Sequence, residues 1–280
     1  MPKAVKTNGH AKFNRKTMEI TIDKAKALDL QVTSGRVVFT GFDKFDQFAQ
    51  VDLVIEGPFR SALRLIDHAP LGYAKAVGID PRGAKGHART ELGLGFIVER
   101  ALTRERIKID AKASVTGAAI PKMAFGRDLT RGTFTLSADG KGMDVAGSAH
   151  IGTIDAQFDW RENFTDKAPF QRRYRVKASL TDAQRAAELG LGTRPFTPEF
   201  LTGTTPADLE YTILASGEGR LRGTVSLDGV AMNLADFGWS KAPGVPGKAH
   251  LDMRFREGLA VEISDFKVNA GGLRLEGEAD

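Results

Sequence analysis

Histidines and carboxylates are the residues of this chain that could do acid–base or metal chemistry. No two histidines lie at a metal-ligand spacing; they are His10, His68, His87, His150 and His250. Carboxylates such as Asp144, Asp155 and Asp159 alternate with apolar residues, and no pattern brings two of them together in an apolar pocket. The sequence has no HExxH, GxSxG, P-loop or GxGxxG motif. We therefore expect a protein that is not an enzyme and that uses no metal or cofactor.

The composition is that of a globular protein, with 41% hydrophobic and 27% charged residues among 280. The absence of cysteine excludes disulfides and cysteine-ligated zinc. The net charge is +5, but acids are interspersed among the Lys and Arg residues, so we expect no nucleic-acid partner. No apolar run approaches the roughly 20 residues that span a bilayer, and no signal-peptide core is present.

Apolar and polar residues alternate with period two along most of the chain, which predicts strands with one apolar and one polar face. The apolar sets are Ala88, Thr90, Leu92, Leu94 and Phe96; Phe134, Leu136 and Ala138; Ile154, Ala156, Phe158 and Trp160; Tyr174, Val176, Ala178 and Leu180; Leu209, Tyr211, Ile213 and Ala215; and Leu251, Met253 and Phe255. Dipeptides such as Asp139-Gly140 and Gly271-Gly272 separate the strands and are hairpin signals. We therefore predict an antiparallel meander.

Two stretches have helical spacing instead. The first extends from Ser61 to about His68 and is followed by Pro-containing loops. The second begins after Thr181, which has Gln184 three residues later as in a capping box, and ends at Gly190.

The stretches Gly140–Trp160 and Gly217–Trp239 share a similar design, and each predicted helix follows an alternating strand and leads into a new strand set. Repetition at a long period indicates stacked units. We expect the end of a preceding unit at 1–50, one repeat unit at 51–165, and a second, truncated at its C-terminus, at 173–280.

Two short helices are too few to cover the apolar faces of about a dozen strands. The strands could pair as a β-sandwich, close into a barrel, or curl into an open groove filled by a ligand. The repeat favours the groove, because a curled sheet can grow unit by unit along one axis. The predicted fold is therefore mostly β, a long curled antiparallel sheet of repeated meander units with two short helices and Pro/Gly-rich loops. A structural or protein-binding β-sandwich module without lipid carriage remains the alternative.

An open apolar trough needs an apolar occupant, and lipid acyl chains fit this requirement. Each buried methylene contributes about 0.8 kcal/mol, so two long chains prefer such a trough over water by roughly 20 kcal/mol. Predicted lipid-contacting residues are Leu92, Leu94, Phe96, Phe134, Leu136, Ile154, Phe158, Tyr211, Ile213, Val225, Leu227, Met232, Leu234, Met253 and Phe255.

Two stretches, Leu71–Phe96 and Gly126–Asn163, resemble bacterial AsmA-like proteins of the YhdP type. The likeness is carried by Gly-Ile-Asp-Pro at Gly78–Pro81, Arg-Asp-Leu at Arg127–Leu129 and Trp-Arg-Glu-Asn at Trp160–Asn163.

That family is similar to bridge-like lipid transfer proteins. The resemblance implies a periplasmic segment of an inner-membrane-anchored bacterial protein, with phospholipid or another acyl lipid as its partner. It also implies that contact with membranes is made through parts of a longer chain. We therefore expect an internal segment of a protein that passes phospholipid between the inner and outer membranes.

Overall fold

The computed structural model describes residues 5–68, 72–103, 106–124, 126–165, 167–194, 196–257 and 259–279. Leu71, where the first family-like stretch begins, lies outside these ranges. Fifteen strands form one antiparallel sheet whose order follows the chain, and three short strands form a second sheet. The large sheet is not closed, since its first and last strands do not pair with each other. The predicted fold class, a long open antiparallel meander, is confirmed.

The contacts within the chain define two compact units, with a boundary between Val145 and Ala146 inside a strand. The two units are defined by the contacts between residues, whereas the repeat units predicted from the sequence are defined by the order of their strands and helices. We refer to the units as unit 1 and unit 2 and describe each by itself.

Unit 1 is a meander with a helical segment inserted between its fourth and fifth strands. Its strands are β1 (Val5–Phe13), β2 (Thr17–Ala27), β3 (Leu30–Thr40), β4 (Phe48–Pro58), β5 (Lys85–Ile97), β6 (Lys108–Ala124), β7 (Arg127–Asp139) and the first residues of β8 (Gly142–Ile151). The insertion contains α1 (Phe59–Asp67), α2 (Tyr73–Ala76) and a 3-10 turn (Pro81–Gly83). The helix predicted near Ser61–His68 is therefore confirmed as α1.

The turn after β7 shows how an Asp-Gly dipeptide forms a hairpin turn. The Asp139 carboxylate accepts hydrogen bonds from the backbone N–H groups of Lys141 (2.7 Å) and Gly142 (3.0 Å). An aspartate that binds the backbone two and three residues ahead stabilises a tight turn. The predicted hairpin at Asp139-Gly140 follows directly from this chemistry.

Helix α1 packs on the apolar side of the sheet. Its Phe59 ring meets the Phe134 ring edge-on, with centroids 5.9 Å apart. The buried Ser61 hydroxyl donates to the Asp29 carboxylate in the β2–β3 turn at 3.3 Å. The helix therefore covers the end of the strands at which this turn lies.

Unit 2 contains the remaining strands of the large sheet, one helix and the small sheet. Its strands after β8 are β9 (Ile154–Asn163), β10 (Phe170–Leu180), β11 (Leu201–Gly203), β12 (Thr205–Leu214), β13 (Gly219–Ser226), β14 (Val230–Leu234), β15 (Trp239–Lys241), β16 (Gly247–Arg256), β17 (Leu259–Ala270) and β18 (Leu273–Ala279). Helix α3 (Asp182–Leu189) follows β10, and a 3-10 turn (Ala235–Phe237) separates β14 from β15.

Helix α3 begins with the predicted capping box. The Thr181 hydroxyl accepts from the Gln184 backbone N–H at 3.4 Å, and the Gln184 side-chain oxygen accepts from the Thr181 N–H at 2.9 Å. Gly190 ends the helix in the left-handed conformation (φ 70°), which glycine adopts without steric cost.

The same helix holds the β8–β9 turn. Its Glu188 carboxylate accepts from the Thr153 N–H (3.0 Å) and hydroxyl (2.9 Å). Gly152, at φ 58°, leaves room for that carboxylate, because a Cβ there would lie 2.5 Å from a Glu188 oxygen. The two units therefore share one arrangement: α1, which follows β4, contacts the β2–β3 turn, and α3, which follows β10, contacts the β8–β9 turn.

Replacing Thr181 with alanine is expected to lower the free energy of unfolding by about 1 kcal/mol, because the Gln184 N–H loses its acceptor. Urea unfolding followed by circular dichroism measures this change. Thr181→Ser keeps the hydroxyl and should retain most of the stability. Equal losses in both variants would show that the capping hydroxyl is not what stabilises the helix start.

The similar stretches Gly140–Trp160 and Gly217–Trp239 diverge in their second halves. In the first stretch, β9 belongs to the large sheet, whereas in the second stretch β14 pairs with β11 and β15 in the small sheet. The chain returns to the large sheet only at β16, which pairs with β13.

Candidate functional site

The apolar face of unit 1 is formed by alternate residues of β2 to β7. Paired residues share a face, and three rows cross the strands: Met18, Phe39, Ala49 and Phe96; Ile20, Val37, Val51, Leu94 and Ile109; and Ile22, Gly35, Leu53, Leu92, Ala111 and Ala138. Phe134 and Leu136 pair with Val115 and Ala113 on the same face. The structure therefore brings the five predicted residues of this unit to one surface.

One end of this face is covered by α1, and most of the remainder is partly exposed. At the covered end, Leu30 and Ile55 are buried in a cluster that includes Ala62 and Leu65 of α1. Away from that end most side chains of the three rows remain partly exposed, although Leu94 is 9% exposed.

The apolar face of unit 2 has the same construction. Three rows of paired residues cross six strands: Trp160, Tyr174, Tyr211, Leu221, Met253 and Ile263; Phe158, Val176, Leu209, Gly223, Leu251 and Phe266; and Ala156, Ala178, Ala207, Val225, Ala249 and Val268. Ile154, Ile213 and Phe255 belong to the same face by alternation along their strands. Seven predicted residues of this unit are thus on one surface, most of them half-buried.

Three predicted residues lie elsewhere. Leu227, just after β13, is buried in a cluster with Leu201, Val230 and Val268, and Met232 of β14 packs against that cluster. Val225 and Ala249 pack against it too, so this cluster covers the end of the third row. Leu234, also on β14, pairs with Trp239 in the small sheet. We therefore do not include Leu227, Met232 and Leu234 in the apolar face of unit 2.

A charged pair interrupts this face and has no counterpart among the predicted site residues. Glu162 and Arg172 face each other across β9 and β10 and form two hydrogen bonds, of 2.5 and 2.8 Å. The Trp160 indole N–H donates to the same carboxylate at 3.0 Å. Burial raises the pKa of the neighbouring Tyr174 hydroxyl, while Arg172 opposes that rise.

The opposite, polar face of unit 2 carries cross-strand ion pairs. Arg220 and Arg222 both contact Asp252, with Nη2–Oδ2 and Nε–Oδ2 distances of 2.6 and 3.1 Å. The hydrogen bond from Arg220 is the main cause that holds the pKa of Asp252 below its usual value. Arg175 pairs with Glu210 at 2.9 Å in the same manner. The charges of this face are paired across strands, and Asp252 is only 8% exposed beneath its two arginines.

The polar face of unit 1 contains an open depression of about 720 Å³ over β3 to β6. Gly93 and Gly95 lie in it, and charges of both signs line it, including Arg36, Asp52 and Lys112. Within the described ranges, no group of three or more His, Asp or Glu side chains could hold a metal ion.

None of the helices in the described part of the chain has the length and apolar character needed to cross a membrane. Comparison with known proteins gives no match to a family model, to a curated protein or to a solved structure.

Proposed function

We propose that the apolar faces of the sheet bind the acyl chains of phospholipid or another acyl lipid and let them move along the strand order. The chain would serve as a segment of a periplasmic bridge that passes lipid between the inner and outer membranes, as its resemblance to AsmA-like proteins implies. The observation that carries this proposal is the set of apolar rows in each unit, most of whose side chains are partly exposed away from the ends covered by α1 in unit 1 and by the cluster around Leu227 in unit 2.

The form of the rows favours mobile tails over a fixed ligand. Neighbouring strands lie about 4.8 Å apart, so a row that crosses six strands offers an apolar path of roughly 25 Å. Side chains such as Val176, Leu209 and Leu251 provide dispersion contacts but no directional anchor. A tail can therefore shift from strand to strand without breaking a hydrogen bond.

The charged pair on the apolar face of unit 2 is compatible with such a path. Glu162 and Arg172 neutralise each other, and Trp160 donates to the same carboxylate, so the face gains no net charge. A neutral, hydrogen-bonded pair opposes an acyl chain much less than an unpaired charge would.

Site-specific crosslinking distinguishes the two faces. A photoreactive phenylalanine analogue at Ile213, on the apolar face, is expected to capture lipid in cells that express the protein. The same analogue at Thr212 is the matched control, since this neighbouring residue lies on the opposite face and is also half-buried. Mass spectrometry of the purified adduct identifies the captured molecule.

Lipid adducts of equal yield at both positions, or protein adducts alone at Ile213, would contradict lipid carriage on this face.

A further inference from the structure

Exposed aromatic and aliphatic side chains gather at one end of unit 1. They lie at the end of β1, in the β3–β4 connection, at the start of β4, and at the end of β5 and just after it; they are Phe13, Phe42, Phe45, Phe48, Ile97 and Val98. We call these six residues, together with the cations Arg15, Lys16, Lys44 and Arg100 beside them in the sequence, the phenylalanine rim.

Backbone hydrogen bonds join the three connections that carry the rim. The N–H of Gly41 donates to the carbonyl of Lys16 at 3.1 Å, which ties the β3–β4 connection to the β1–β2 turn. The N–H of Val98 donates to the carbonyl of Gln47 at 2.9 Å, which ties it to the segment after β5. The rim is therefore one contiguous edge assembled from residues about 80 positions apart in the sequence.

The rim is opposite to the covered end of unit 1. Helix α1 covers the β2–β3 turn, whereas the rim residues lie at the other ends of the same strands. Phe13 is 82% exposed and Phe45 is fully exposed. Single exposed apolar residues are common on proteins, but six on one edge mark an interaction surface.

The charge around the rim identifies the kind of partner. The described residues 12–17, 41–48, 97–103 and 106–108 contain more cations than acids: Lys12, Arg15, Lys16, Lys44, Arg100, Arg106 and Lys108 against Asp43, Asp46 and Glu99. Two of the acids are matched, because Asp43 lies 3.9 Å from Lys16 and Glu99 pairs with Arg106. Apolar tips surrounded by excess cations complement an anionic bilayer, in which the rings enter the interface and the cations meet the phosphates.

We propose that the phenylalanine rim docks this chain onto the surface of an anionic lipid bilayer. Docking requires no movement of the strands, since the six apolar side chains are already exposed. The proposal goes beyond lipid carriage and does not depend on it: Phe13 pairs with Met18 at the end of one row, but the other five apolar rim residues do not belong to the rows.

Vesicle flotation with the full 280-residue chain tests the proposal. We expect binding to vesicles of phosphatidylcholine with about 30% phosphatidylglycerol, and binding weaker by about tenfold or more to phosphatidylcholine alone. The double variant Phe13→Ser/Phe45→Ser should lose about tenfold or more of the binding to anionic vesicles. Phe237→Ser is the matched control, because Phe237 is also 82% exposed but lies in unit 2; its binding should equal that of the unchanged chain.

A charge-reversal variant, Arg15→Glu/Lys44→Glu, should also lose binding to anionic vesicles, and added salt should weaken binding of the unchanged chain. Circular dichroism tests whether the variants are folded. The proposal is overturned by absence of vesicle binding, by full binding of Phe13→Ser/Phe45→Ser, or by equal losses in Phe237→Ser. It is also overturned if sedimentation shows that the rim mediates self-association instead. Lipid crosslinking at Ile213 is scored separately, so failure of docking and failure of lipid carriage remain distinguishable.

Discussion

Replacing Lys241 with methionine is expected to lower the free energy of unfolding of unit 2 by about 3 kcal/mol or more. Lys241 is only 3% exposed, and its Nζ donates to the carbonyl oxygens of Leu227 (2.7 Å), Val230 (2.9 Å) and Ala242 (3.2 Å). A lysine has three N–H donors, and here each finds an acceptor. Methionine retains much of the apolar stem but leaves buried carbonyls without that donor.

The close packing around the Lys241 side chain leaves little room for another donor to replace its Nζ. An added Cβ at Gly247 would lie 3.1 Å from the Lys241 Cε, and one at Gly271 would lie 3.3 Å from its Cγ. The side chain is thus closely packed between two glycines, and little space is left for a water molecule to replace the Nζ. Lys241 connects β15 to the segment between β13 and β14, so its loss should release the small sheet first.

Tryptophan fluorescence during urea unfolding measures this effect, because Trp239 lies on the same short strand and donates to the Gly271 carbonyl at 3.2 Å. The background variant Trp160→Phe makes Trp239 the sole tryptophan. Lys248→Met is the control, since Lys248 is exposed on β16, and it should change the free energy of unfolding by less than about 0.5 kcal/mol. Similar stability of both methionine variants would mean that the three carbonyl contacts contribute little.

The alternation of apolar and polar residues predicted the strands well, because successive side chains of a strand point to opposite faces of the sheet. The predicted set Leu209, Tyr211 and Ile213 occupies one face of β12, and its cross-strand partners are those that the same rule selects on β10 and β13. The start of α3 was also accessible, since a capping box depends on residues only three positions apart.

The small sheet could not be predicted from the sequence in the same way. The residues of β14 alternate like those of β9, so Met232 and Leu234 satisfy the same pattern as Phe158. Which sheet a strand joins depends on distant pairing: β14 pairs with β11, about 30 residues earlier. Strand β11, Leu201–Gly203, is too short to show an alternating pattern, so the partner of β14 could not be predicted.

The pair of Glu162 and Arg172 could have been found. Glu162 follows the parity of Phe158 and Trp160 on β9, and Arg172 follows that of Tyr174 on β10. Opposite charges at apolar positions on both sides of one hairpin are a signal of a buried cross-strand ion pair. The exact register was needed to place them face to face, and that register depends on the length of the intervening loop.

Arg172→Met is expected to lower the free energy of unfolding by about 3–5 kcal/mol. The Glu162 side chain is 10% exposed. Of its two donors described above, Arg172 and Trp160, the variant keeps only the Trp160 indole. A buried carboxylate that loses its cation pays most of its desolvation cost without compensation. Arg173→Met is the matched control: it changes the next residue, which lies on the opposite face about 4.0 Å from Glu210, and it should cost about 1 kcal/mol or less.

The double variant Glu162→Met/Arg172→Met should recover stability to within about 1 kcal/mol of the unchanged chain, because apolar side chains of similar volume can replace a buried ion pair. Urea unfolding of the unchanged chain, Glu162→Met, Arg172→Met and the double variant gives the coupling energy between the two positions. If the double variant is as unstable as Arg172→Met, the pair is an integral part of the packing of β9 against β10. If it is as stable as expected, folding does not require these charges, and a reason for them must be sought in the apolar face that they interrupt. Lipid crosslinking at Ile213, which pairs with Arg172 across β10 and β12, is then the direct measurement of whether the pair affects what that face binds.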